Sequence, residues 1–184
     1  PDVDGDWDLF MTHIHNETNT YYRNQGGVFS DRTSITGLAH SSVGMTGWGI
    51  GFHDYDQDGE IDVFIANGRV EIHQPLPDGD DPYAERNQLF RGAGGLFTEV
   101  QGGLPAAHLG ATRAATFGDY DSDGDVDIAY LNRGGAVRLL RNVVPKQGDW
   151  IGLRLLNASG AYALGAEVRV SVGGRTYLRQ CQPA

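Results

Sequence analysis

The chain of 184 residues has a single cysteine, and one thiol closes no internal disulfide, so no disulfide framework holds this fold together. Cys181 is either a buried, inert side chain or the partner of a cysteine that lies outside this sequence. No apolar run approaches the ~20 residues of a membrane-spanning helix, which excludes insertion by that route. Basic residues are scarce: 14 Lys and Arg stand against 24 Asp and Glu, for a net charge of −10. Such a balance argues against nucleic acid and anionic lipid surfaces as partners. Long helical periodicity is also missing. Glycine, by contrast, is abundant at 27 residues, and turn dipeptides recur throughout, which points to many short strands joined by tight turns. The first residues lie inside an acidic motif, with neither Met nor a signal sequence before it. The expectation is therefore a piece of a longer polypeptide.

The acids are not spread evenly. Residues 2–8, 54–62 and 119–127 hold 4, 5 and 5 of them, which is 14 of the 24. PDVDGDWD (1–8) aligns with YDQDGEID (55–62) and YDSDGDVD (120–127), so one motif is repeated three times. Each copy runs into an alternating apolar segment, WDLFMTH (7–13), IDVFIANG (61–68) or VDIAYLNRGG (126–135), a period that means strand. GWGIGF (47–52) and RAATFG (113–118) precede the two complete copies and are strand-like as well. A second shared element follows: YYRNQGGVFSD (21–31) matches LFRGAGGLFTE (89–99), and LLRN (139–142) begins a third copy. The GG pair between aromatic-flanked strands predicts a hairpin. RVEIHQPLPDGDDPYAE (69–85) is surplus to the second copy and reads as a long surface insertion. One repeat is thus about four strands, the make-up of a β-propeller blade. From residue 149 the pattern changes to three further strand candidates, 150–156, 166–172 and 175–180, so the predicted domains are 1–148 and 149–184.

Why crowd five carboxylates into nine residues? Two like charges ~4 Å apart repel by about 4 kcal/mol at an effective dielectric near 20, so the cluster needs a cation, protonation or full hydration. Asp occupies positions 1, 3, 5 and 9 of each complete loop and Gly position 6, where a turn with positive φ is required. Alternate acids on a tight turn converge on one point. A main-chain carbonyl from position 7 (Asp6, Glu60 or Asp125) and a bidentate final Asp bring the count to about six or seven oxygens, which suits Ca²⁺ better than Mg²⁺. An EF-hand is excluded: position 12 is Met11, Ile65 or Tyr130 in place of Glu, and the flanks are strands. The candidate metal residues are Asp2, Asp4, Asp6 and Asp8 in an incomplete first site. The two complete sites comprise Asp54, Asp56, Asp58, Glu60 and Asp62, and Asp119, Asp121, Asp123, Asp125 and Asp127. Three divalent ions would reduce the net charge from −10 to −4.

ETNTYYRNQGGVFSD, TGWGIGFHDYDQDGEIDVFIANG, TFGDYDSDGDVDIAYLN and DWIGLRLLNASGAYALGAEVRV together resemble the FG-GAP/VCBS-repeat β-propeller family, in particular the members that join it to an ASPIC/UnbV domain, such as cartilage acidic protein. The resemblance implies an all-β partial propeller of about three blades, followed by a truncated β-rich ASPIC/UnbV-like module. It implies calcium ligation by Asp54, Asp56, Asp58 and Asp62 and by Asp119, Asp121, Asp123 and Asp127. Asp2, Asp4 and Asp8 would form the incomplete site. It further implies an extracellular or secreted setting, periplasmic or cell-surface in a bacterium. Propellers of this kind have about seven blades, so other protein chains, or the remainder of a longer polypeptide, are expected to complete the ring. Glycans or matrix components are possible further partners.

No Ser-His-Asp order, nucleophile elbow or phosphate loop can be assembled, so no catalytic residue is assigned. The expected role is a calcium-stabilised structural, adhesion or interaction segment. The alternatives are part of a biosynthetic propeller enzyme or a glycan-binding module. His13 and His15, two apart on an expected strand, would face one way but find no third metal ligand. His53 abuts the second loop and reads as a spacer or supporting donor. Asn16 and Asn157 open glycosylation sequons.

Overall fold

A computed structural model describes residues 4–72, 81–105 and 109–181. Among these residues the architecture is all-β, with one short helix, α1 (Leu38–Ser42). Strands β1 (Leu9–Met11), β2 (Thr20–Gln25) and β3 (Val28–Asp31) form an antiparallel sheet. The next sheet has four strands in sequential order: β4 (Gly47–His53), β5 (Asp62–Asn67), β6 (Gln88–Ala93) and β7 (Leu96–Glu99). A third sheet holds β8 (Thr112–Gly118), β9 (Asp127–Asn132) and β10 (Val137–Leu140). The C-terminal hairpin pairs β11 (Glu167–Val172) with β12 (Arg175–Gln180).

The two GG pairs make the expected hairpins. Gly26 and Gly27, and Gly94 and Gly95, all have positive φ, and the flanking registers Gln25↔Val28 and Ala93↔Leu96 leave only those two residues in each turn. Both turns therefore have the primed geometry whose twist matches that of the strands. Each complete acidic loop joins two paired strands, with His53 opposite Asp62 and Gly118 opposite Asp127.

The sheets pack face to face as blades. Every residue of β5 is buried, and its alternation serves two cores. Val63 and Ile65 join Tyr21, Leu38, Phe90 and Phe97 on one side, with Phe10, Ile50 and Phe52 against them. Phe64 and Ala66 join Tyr55 and Ile128 on the other, backed by Phe117 and Leu140. At roughly 1.5–3 kcal/mol for each large apolar side chain buried, β5 ties the second sheet to both neighbours. The partial propeller predicted from the repeats is thus an arc of three sheets, with no closed barrel among the described residues.

Three expectations change. Residues 150–156 do not form a strand: Leu156 makes one isolated bridge to Tyr162, and the rest has no ladder partner. Their alternation has another use, since Ile151, Leu153 and Leu155 line a groove of about 800 Å³ together with Val168, Val170 and Val172. His13 and His15 lie beyond β1, not on it. His13 contacts Glu17 and Thr20, His15 contacts the Gly44 carbonyl, and neither belongs to a group of three metal-binding side chains among the described residues. The surplus segment 69–85 is not wholly superficial. Its centre falls outside the described residues, but Glu85 is buried, accepting from Thr46 N at 2.9 Å and pairing with Arg69 at 3.1 Å.

Candidate metal centres

The two complete loops share one hydrogen-bond pattern, residue for residue. At position 1, Asp54 accepts from the N–H groups of Asp58 (3.0 Å) and Gly59 (2.9 Å), and Asp119 does so from Asp123 (3.1 Å) and Gly124 (2.9 Å). At position 5, Asp58 accepts from Glu60 N and Asp123 from Asp125 N. The same contact recurs in the first loop, where Asp4 accepts from Asp6 N. Positions 4 and 6 are left-handed in both complete loops, at Gln57 and Gly59 and at Ser122 and Gly124. Gln57 and Ser122 tolerate positive φ at some cost, which the carboxylate bonds offset.

The final Asp clamps the loop to the strand beyond it. Asp62 accepts from Tyr55 N (2.9 Å) with one oxygen and from Gly92 N (2.9 Å) with the other. Asp127 does the same with Tyr120 N (3.1 Å) and Asn142 N (2.7 Å). In the first loop Asp8 accepts from Asn24 N (2.8 Å) and from the Tyr21 hydroxyl. The side chains at position 7 find partners outside their own loops. Asp6 and Glu60 each accept from a hairpin glycine, Gly26 and Gly94. Glu60 also pairs with Arg175, and Asp125 with Lys146.

Two groups of carboxylates converge: Asp54, Asp56 and Asp58, and Asp119, Asp121 and Asp127, each offering oxygens within 4.8 Å of one another. Asp62 and Asp123 stand outside these groups, although their counterparts Asp127 and Asp58 make equivalent bonds and lie within them. Asp2 lies outside the described residues. The donor set fits a hard divalent ion. All the groups are oxygens, and Oδ1 of the buried Asp56 has no hydrogen-bond partner. Burial pushes the Asp62 carboxyl up to about 6 and raises that of Asp54, and the neighbouring acids add to both shifts. His53, packed on Phe117, is driven down to about 4 by burial and by the Arg179 charge, and remains a neutral neighbour of the loop.

Sequence reasoning missed the cations that reach into the loops. Arg91 Nη2 lies 3.0 Å from Asp56 and 2.7 Å from Asp58. Arg141 spans Asp121 (2.7 Å) and Asp123 (3.2 Å), and Arg23 reaches Asp4 (3.2 Å). The signal was present, because these are the arginines of YYRN, LFRG and LLRN. The linker was missed too: Gln147 donates to Asp56 from side chain and backbone, and Gln57 reaches Asp125. The C-terminal hairpin touches the same loops, with Arg169 donating to the Gly5 carbonyl and the Trp7 indole donating to Glu167.

Residues 2–65 match the family described as the FG-GAP-like repeat, which covers the first acidic loop, the first GG hairpin and the second loop. Those residues are similar to an FG-GAP-like repeat. Repeats of this type are often interaction modules of extracellular proteins and are generally non-catalytic. No curated protein matches the chain. Among the described residues no helix is long and apolar enough to cross a membrane.

Proposed function

We propose that this chain is a calcium-binding propeller segment of an extracellular protein, in which the ion fixes the loop between two strands and the blades serve adhesion or protein interaction. The observation that carries this reading is that each of the two complete loops brings three acids together, positions 1 and 3 in both, with position 5 in one and position 9 in the other. Asp54, Asp56 and Asp58, and Asp119, Asp121 and Asp127, would hold the ions, with Asp62 and Asp123 adjoining and position-7 carbonyls completing the set. Asp2, Asp4, Asp6 and Asp8 would form the partial first site. The ion would supply charge neutralisation and cross-linking of strand ends. At roughly 1 mM calcium and a Kd near 10 μM, each site adds about 2.7 kcal/mol to stability.

Residues 149–184 would be a module of the ASPIC/UnbV type set on the rim of the arc, and further blades or partner chains would continue the ring. Thermal melts in EDTA, then in excess calcium, then in magnesium, test the calcium reading. Tm should fall in EDTA, recover in calcium and recover little in magnesium. Equal melts in all three would remove it.

A further inference from the structure

The arginine that reaches each acidic loop sits at one fixed place in the repeat. Arg23, Arg91 and Arg141 each immediately precede the residue whose N–H clamps the final Asp, namely Asn24, Gly92 and Asn142. The clamp therefore sets the arginine's register, and in the two complete loops its side chain extends toward positions 3 and 5. Building on the calcium reading above, we propose that Arg91 and Arg141 are tethered cations that occupy the loops in place of the divalent ion and compete with it, so that these two residues set calcium affinity.

Geometry makes the occupancies exclusive. One nitrogen of Arg91 lies within 3.0 Å of oxygens from two different acids, Asp56 and Asp58, both members of the converging group. An ion bound to those oxygens at about 2.3–2.6 Å would occupy the same space and repel the guanidinium. Exposure makes the exchange feasible. Arg91 is 50% exposed and Arg141 54%, so either can swing into water without disturbing the blade. The acids they leave are more enclosed: 11% and 16% for Asp56 and Asp58, against 23% and 32% for Asp121 and Asp123. Charge–charge interactions strengthen as water is excluded, so Arg91 competes harder than Arg141. The pair also gives the loops an ion-free resting state. A single positive charge keeps two acids apart from bulk water until a doubly charged ion displaces it.

The test is calorimetric titration of CaCl₂ into the full chain and into Arg91→Gln and Arg141→Gln, with melts of each protein in EDTA. Arg91→Gln should tighten one calcium site by about tenfold or more, the size of a lost charge-assisted hydrogen bond. Arg141→Gln should tighten the other site by less. Each should lower Tm in EDTA, because acids are left facing one another. Unchanged or weaker binding in Arg91→Gln, with normal binding in the parent chain, would overturn the competition and leave the calcium reading intact. No binding by the parent chain or by either variant would overturn both. If Arg91→Gln does not fold, Arg91→Lys keeps the charge but not the fork, and intermediate tightening is expected. Parent-like affinity in that variant would also count against competition.

Discussion

Asp62 is open to two readings that sequence alone cannot separate. Its place at the end of D-x-D-x-D-G-x-x-D reads as a metal ligand, yet both of its oxygens accept main-chain N–H groups, one from Tyr55 within the loop and one from Gly92, thirty residues on. The second bond is invisible in the sequence because it depends on how β6 lies beside β5. It is buried, so its loss leaves donors without water or partner. Asp62→Ala should therefore cost about 3 kcal/mol, at roughly 1–3 kcal/mol for each orphaned donor. The cost should persist in EDTA, where ligation contributes nothing, and urea unfolding in EDTA measures it. A stability equal to that of the parent chain under those conditions would mean that Asp62 serves only an ion.

Strands and hairpins were legible because their signals are local. Alternating Val, Ile and aromatic residues predicted β5 and β9, and the GG pairs marked both turns. The 150–156 segment shows where that logic ends. Period two says that alternate residues face one way, not that the backbone has a partner, and here the apolar face lines a groove instead. WGIGF had a clear strand pattern, but the reason for its glycines came only with packing. A Cβ on Gly49 would lie 2.6 Å from the backbone nitrogen of Ala115, and Gly51 faces the ring of Phe117. These positions let β4 lie close against β8, which is how the second and third sheets share a core. Gly49→Ala should force that contact open and cost about 1–3 kcal/mol, the usual penalty of overpacking. Gly118→Ala, where a Cβ meets nothing within 4 Å, is the matched control and should be nearly neutral. Equal urea midpoints for the two variants would show that the sheets are not held at this distance.

The three sheets are unequal, and the inequality predicts how the molecule behaves. In the four-stranded sheet, β5 pairs with β4, and β6 pairs with β7. By the repeat, β1 is the counterpart of β5 and β10 of β6, but among the described residues β1 has no inner strand beside it and β10 no outer one. Leu9 and Met11 on β1, and Val137 and Leu139 on β10, are exposed. Unpaired ladder groups beside apolar side chains form a template for another strand. In a longer polypeptide or an assembly that strand would complete the blade; in the isolated chain it must come from a second copy. Light scattering on the 184-residue protein should therefore give a mass above 19.9 kDa that rises with concentration. Val137→Glu with Leu139→Lys places charge on the β10 edge without touching either core, and should shift the mass back toward the monomer while leaving Tm close to that of the parent chain. A parent chain that is already monomeric at every concentration would show that these edges are protected by the fold itself, and the case for completion by another chain would fall with it.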